Sequence, residues 1–368
     1  ARIILWLEDE TTLADANYDG DVNVLDMTQI GLIILGRESK LTFIDATGDS
    51  VTVNKPVERV IVMFKNNLDL VQMLDVKDKV VAVSQWTKEN EEAYPELSEL
   101  PSIGHWYRPD YEAILTANPD LIIPYTVVME GEIPVWCMAK ITALKENIPD
   151  ATFYILSLTQ EEIDDRFVEN FRVLGYILDK EEEAEEFIDW YKAQLSTIKS
   201  RTEGLSEDEK TTFFMQHGPD WTYPHPFLSY VAGGKNIITT PCEPDPEWIA
   251  SQNPEVILRE GYQAVPCHGY SCDDPSAMAA TVEEEFLNNP GYADVPAVKT
   301  GRVYIMDGET LLLGPCHIMG VAYMAKWLHP TLFEDLDPQD IHQEYITRFK
   351  RIDYDLEEHG VFVYPPLE

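Results

Sequence analysis

Basic residues are scarce. The chain of 368 residues carries 27 Lys and Arg against 66 Asp and Glu, a formal net charge of −39. Such a surface repels a phosphate backbone, so nucleic acid is excluded as a partner, and docking on anionic lipid through a polybasic patch is disfavoured. Cysteine is scarce as well. Five residues do not make a disulfide scaffold, and an odd count leaves at least one thiol outside any pairing. Cys267 and Cys272 are close enough in sequence to bridge, while Cys137, Cys242 and Cys316 are isolated. There is no Cys-x-x-Cys pair, which removes a zinc ribbon, and no run of about 18 apolar residues, which removes a spanning helix. No P-loop, Gly-x-Ser-x-Gly or His-Glu-x-x-His motif occurs. The first residues, Ala-Arg, lack both Met and a signal peptide, and the expectation is the mature, soluble part of a longer precursor. Apolar residues make up 45% and aromatics 11%, enough to build cores over a length of about two domains.

The clearest local motif lies near the start. Asp15, Asn17, Asp19, Asn23 and Asp26 place side-chain oxygens at positions 1, 3, 5, 9 and 12 of a loop. Asp21 at position 7 offers its backbone carbonyl, and Gly20 at position 6 permits the sharp turn. That spacing wraps oxygen ligands around Ca²⁺. An apolar helix follows from Met27 to Leu35 and ends at Gly36. The loop resembles the calcium-binding repeat of type I dockerins, and Ile3–Leu7 reads as the exit helix of a first repeat whose loop is missing. The resemblance implies a cohesin-like partner. The reading preferred here is a small structural calcium module, a spacer from a membrane anchor.

Beyond residue 40 the pattern changes. Residues 41–60 alternate as a hairpin around Gly48-Asp49. Short apolar strands at Val60–Met63, Val80–Val83 and Leu121–Ile123 alternate with helices, the mark of βα units on a parallel sheet. A gapless internal repeat then appears. Asp110, Glu112, Asn118, Pro119, Asp120 and a buried strand recur 135 residues later as Asp245, Glu247, Asn253, Pro254, Glu255 and a strand at Val256–Leu258. Each proline is expected to end its helix. Between the copies, Glu161–Leu178 reads as one helix and Asp179–Arg201 as a second, which spans roughly 35 Å at about 1.5 Å per residue. Its acidic first turns, Glu181–Glu186, suit a helix N-terminus. The second lobe restarts with a strand at Thr212–Met215.

Residues 41–349 resemble the iron-siderophore/cobalamin class of ABC-importer substrate-binding proteins. The resemblance rests on the order and spacing of short phrases: Val53–Ile61, Gly104 followed by Asp110–Leu115, Asn118–Ile123, Ala232–Ile237, Pro296–Tyr304 and Gly314-Pro315. It implies an α/β fold of two Rossmann-like lobes joined by a long rigid helix, with ligand held between them and no catalysis. The small helical, EF-hand-like calcium module would precede them. The expected organisation is a calcium module at 1–40, a first lobe at 41–178, the interlobe helix at 179–203 and a second lobe at 204–368. It further implies an extracytoplasmic location, membrane-anchored in the full-length protein, and a permease partner. In that family a surface glutamate on each lobe meets permease arginines, and Glu112 and Glu247 occupy matching positions.

Ligands of open parallel sheets bind beyond the carboxyl ends of the strands. In the first lobe this selects Lys65, Trp86, His105, Trp106, Tyr107, Arg108 and Tyr125. In the second it selects His217, Trp221, Tyr223, His225, Arg259 and Tyr262. Aromatic walls suit a flat or macrocyclic chelate, and arginines suit its anionic oxygens. Arg259 directly follows a strand and is expected to aim at the space between the lobes, where it meets either an anionic ligand or a carboxylate such as Glu260. A ferric siderophore is the leading ligand, with cobalamin, haem, molybdate and tungstate as alternatives. A His or Tyr of these loops completing the coordination of an iron chelate is a further option. A chelatase-like metal-insertion enzyme on the same scaffold is the competing class, for which His217 and Glu260 are the acid–base candidates.

Overall fold

The computed structural model describes residues 14–16, 21–126, 133–156, 167–218, 220–262 and 265–367. Asn17, Asp19, Gly20, Ile3–Leu7 and the first turns of the helix read from Glu161 lie outside them. The chain separates into two compact units. One comprises Ala1–Glu89, Glu96–Leu158 and Asp165–Glu185; the other comprises Asn90–Pro95, Thr159–Asp164 and Glu186–Glu368. The division falls inside the helix Glu181–Thr202, the stretch read as the interlobe helix.

In the first unit, four short strands form a parallel sheet in the spatial order Val80–Val83, Val60–Val62, Leu121–Ile123, Thr152–Phe153. Val60–Val62 and Leu121–Ile123 are buried along their whole length, as strands covered on both faces must be. The antiparallel hairpin Lys40–Ile44 with Ser50–Asn54 forms as expected, and Gly48 supplies the positive φ of its turn. Lys55 closes this edge. Its buried ammonium reaches Glu38 at 2.8 Å and Asp179 at 2.5 Å.

In the second unit, five strands run in the order Gly234–Asn236, Thr211–Gln216, Val256–Gly261, Val303–Asp307, Val363–Tyr364. The first four are parallel. The last is antiparallel and covers the outer side of Val303–Asp307 through two residues, Val363 and Tyr364. Read by chain position, both sheets have the order second, first, third, fourth. The internal repeat seen in the sequence is therefore a repeat of topology.

The repeat also holds at the level of hydrogen bonds. Asp110 caps the helix Tyr111–Ala117 by accepting from the Ala113 N–H, and Asp245 caps Pro246–Gln252 by accepting from those of Glu247 and Trp248. Asp120 accepts the backbone N–H groups of Glu58 and Arg59 at 3.0 Å, and Glu255 accepts that of Thr212 at 3.0 Å. Each acid thus pins the start of the neighbouring strand. One detail differs from expectation. The helices end at Asn118 and Asn253, which adopt the left-handed conformation (φ 46° and 52°), one residue before the prolines.

Near the amino end, Asn23 caps the helix Val24–Ile34, while the Asp26 carboxylate accepts the Asn23 N–H at 2.6 Å. The helix starts three residues earlier than the apolar run suggested because this reciprocal cap sets its first turn. Cys267 and Cys272 are bridged; Cys137, Cys242 and Cys316 take part in no disulfide among the described residues. Among the described residues no helix is long and apolar enough to cross a membrane.

Candidate functional site

A sheet ordered second, first, third, fourth reverses its winding between the first and third strands, and the crevice at their carboxyl ends is where such sheets take ligands. In the first unit these strands are Val60–Val62 and Leu121–Ile123. The residues just beyond them, Phe64 and Tyr125, meet with ring centres 4.6 Å apart. Trp106 joins them, 4.2 Å from Tyr125 and 5.6 Å from Phe64. It projects from a tight loop in which Gly104-His105 pairs with Arg108-Pro109. Gly104 has φ +76°, and a Cβ there would lie 3.3 Å from the Arg108 carbonyl, so the turn requires glycine. His105 packs on Tyr107 at 4.1 Å, and the exposed Arg108 lies over the Tyr107 ring. Trp136, near the head of the helix Val135–Asn147, stacks on Tyr125 at 6.2 Å and remains 48% exposed. The strand-end rule selects the loop 64–67 but not the Phe64 ring itself, and it does not reach Trp136. Phe64 had the position to be noticed, whereas Trp136 comes from a helix with no strand-end signal.

In the second unit the equivalent strands are Thr211–Gln216 and Val256–Gly261. His217 follows the first and Tyr262 the second, with their rings 5.2 Å apart. Between them lies Glu260, buried in the strand. A carboxylate only accepts, so at 2.7 Å the proton sits on His217 Nδ1 and is donated to Glu260 Oε2. His225, fully buried, brings Nε2 to 2.6 Å from Glu260 Oε1, a close polar contact lying off the line of a hydrogen bond. Burial pushes the Glu260 carboxyl up, but the charge of His225 and the His217 hydrogen bond outweigh it and hold it at about 2. Tyr223 lies 4.9 Å from His217 and 4.4 Å from His225. Burial and the Glu260 charge push its phenol well above the usual range, so it stays protonated. Trp221, 45% exposed, completes the ring of aromatics 6.0 Å from His217. The second imidazole nitrogen of His217, Nε2, has no hydrogen-bond partner among the described residues.

The whole of residues 60–310 matches the family model described as periplasmic binding protein. The chain belongs to the periplasmic binding protein family. It is 23% identical over 308 residues to the uncharacterized ABC transporter substrate-binding lipoprotein YvrC of Bacillus subtilis, covering 80% of this chain and 87% of that one. It is 21% identical over 334 residues to the molybdate-binding protein MolA of Haemophilus influenzae, covering 84% and 91%. Among solved structures, the TroA-like periplasmic binding protein FepB from Veillonella parvula superposes with a TM-score of 0.70 at 18% identity, over 88% of this chain and 98% of that one. The α/β fold with its parallel sheets is thus that of a periplasmic binding protein.

Of two cations considered for a ligand in this periplasmic binding protein, Lys65 packs on an aromatic ring and Arg259 takes the alternative of a carboxylate, that of Glu285. Lys65 is buried, with Nζ 4.9 Å from the centre of the Trp86 ring, because it starts a helix packed over the sheet end. Arg259 has no exposed surface. It points to the opposite side of the strand from Glu260, as successive strand residues do. Its guanidinium reaches Glu285 at 2.8 and 3.3 Å, and it donates to the carbonyls of His217 at 2.6 Å and of Glu260. No sequence signal marks which of Glu283, Glu284 and Glu285 turns inward. A π-helical turn over Glu283–Leu287 leaves the first two exposed and directs the third at Arg259. Glu112 and Glu247 are both exposed in the first turn of their helices, in no ion pair among the described residues.

Proposed function

We propose that this periplasmic binding protein is the extracytoplasmic receptor of an ABC importer and that its cargo is a metal chelate, an iron complex of the siderophore type first. One observation carries the reading. His217 donates a hydrogen bond from Nδ1 to a buried carboxylate, and its Nε2, beside three aromatic rings, has no hydrogen-bond partner among the described residues. A carboxylate behind an imidazole fixes its tautomer and raises its basicity, the arrangement that orients metal-ligating histidines. A single nitrogen completes a coordination sphere whose other ligands the chelator brings. Within the first unit, the aromatic group of Phe64, Trp106, Tyr125 and Trp136 offers faces of the kind that stack on flat ligands. Similarity to the molybdate-binding MolA favours a second reading, a bare oxyanion. Native mass spectrometry with metal analysis of freshly purified protein separates the two, since a chelate adds organic mass and an oxyanion does not. Purification with neither, and no binding of either on titration, would sink both. No catalytic step is proposed.

Glu112 and Glu247 are proposed as the contacts to permease arginines, one on each topological repeat. Reversing both to Lys should abolish permease-coupled uptake in reconstituted vesicles and leave ligand affinity within about twofold. A loss of ligand affinity of tenfold or more would remove them from this role.

The loop Asp15–Asp26 is proposed to hold Ca²⁺ through Asp15, Asn17, Asp19, Asn23, Asp26 and the Asp21 carbonyl. Because all ligands come from one loop, EDTA should raise amide exchange over residues 15–35 and move the main thermal transition by no more than about 2 °C. A shift of many degrees would mean that the calcium supports the α/β units themselves. Docking of a cohesin-like module, the other outcome implied by the loop's resemblance, is tested by pull-down with and without residues 1–40.

A further inference from the structure

Arg259 is a buried cation with four hydrogen bonds, two of them to the backbone of the candidate site. Nη1 takes the carbonyl of His217 at 2.6 Å and that of Glu260. Nε and Nη2 grip the carboxylate of Glu285. Gln216, the residue before His217, donates to the Gly218 carbonyl at 3.0 Å and to Glu285 at 3.4 Å. The peptide that carries the imidazole is therefore held from behind by one guanidinium, and that guanidinium is held by one carboxylate from a π-helical turn. Irregular turns of this kind occur often at functional sites, and here the extra residue is what brings Glu285 around to the strand.

We propose that Arg259, braced by Glu285, is a positioning residue for His217: it fixes the turn so that Nδ1 meets Glu260 and Nε2 is left for the ligand. The inference rests on the assignment of His217 to the chelated metal. It differs from a merely structural ion pair in one respect. An ion pair that only supports folding can be altered at a stability cost without changing the protonation or bonding of an imidazole on the other side of the strand. A lysine at 259 keeps the charge for Glu285 but lacks the fork that reaches both the carboxylate and the two carbonyls.

The test uses the full chain with histidine labelled at ¹³C and ¹⁵N, and a ferric bis-catecholate as probe, whose iron has open coordination positions. Arg259→Lys and Glu285→Gln are prepared beside His217→Ala. In the wild type the His217 Nδ1–H should give a downfield, hydrogen-bonded resonance. Arg259→Lys should lose it or move it upfield, and should weaken probe binding about tenfold. Glu285→Gln, which keeps one acceptor for Arg259, should do the same to a smaller degree. Both should leave the far-ultraviolet circular dichroism unchanged. If Arg259→Lys fails to fold, Glu285→Gln alone decides. An unmoved His217 resonance in a folded variant overturns the positioning role, whatever happens to affinity. If the resonance moves as stated but His217→Ala leaves the charge-transfer band of the bound probe unchanged, the positioning stands and the assignment of His217 to the metal falls.

Discussion

Replacing His217 with alanine should weaken the binding of a ferric bis-catecholate by about 100-fold, the size of a lost interaction of about 3 kcal/mol. The bound probe should also lose the change in its charge-transfer band. The expectation follows from the Nδ1–Glu260 bond, which makes Nε2 a fixed acceptor rather than one of two interconverting tautomers. Alanine leaves Glu260 its contact with His225, so the carboxylate is not stranded and folding should persist. Molybdate affinity, if the protein has any, should respond differently. An oxyanion needs donors, and an Nε2 that accepts is of little use to it. Equal loss for both probes would mean that His217 shapes the site without ligating. No loss for either would place the site elsewhere.

Acid should destabilise the second unit largely through His342, and His342→Phe should relieve it. The His342 ring is fully buried, both of its nitrogens lack hydrogen-bond partners among the described residues, and Phe362 lies 4.6 Å away edge-on. Burial lowers its pKa to about 3; the charge of Asp307 opposes this and that of Lys350 adds to it. The native state therefore refuses a proton that the unfolded chain accepts near 6.5. Stability is full above that value and falls as pH drops from 6.5 toward 3, by on the order of 4–5 kcal/mol at the limit. His317, buried and lowered to about 4 while bonded to Gly314 and Tyr191, adds a smaller loss of the same sign over the window from 6.5 to 4. A phenyl ring at 342 has nothing to protonate. Urea unfolding at pH 7.5 and pH 4.5 should show a much smaller drop for His342→Phe than for the wild type. The same drop in both would assign the acid sensitivity to other groups.

Much of the architecture could be read from the chain because it is written twice. The capping aspartates 110 and 245, the asparagines 118 and 253, and the acids 120 and 255 have local tasks, and local tasks leave residue-type signatures at fixed spacing. The same holds for the strand-end positions of Tyr125, His217 and Tyr262, which follow from where the apolar runs stop. The fate of Arg259 was not legible. An arginine after three buried strand residues can face either side, and its side is decided by Glu285, 26 positions away. That choice among three consecutive glutamates depends on a π-helical turn that no composition announces. Lys65 went unread for a similar reason: its burial depends on Trp86, which a helix on the next strand brings over it. Nor did the chain announce that Tyr94 would lie 4.1 Å from the ammonium of Lys350, 256 positions further on.

The short strand Val363–Tyr364 is the last piece of the second sheet, and it settles how the protein can be handled. Without it, the Ile305–Asp307 end of the strand would lose its outer partners and join Val303 and Tyr304 as bare edge, and such an edge invites pairing with another chain. A version cut back to Gly360 would thus be expected to self-associate on concentration even where each unit remains folded. An affinity tag fused beyond Glu368 keeps the guard strand in place, whereas one that replaces the final eight residues removes it.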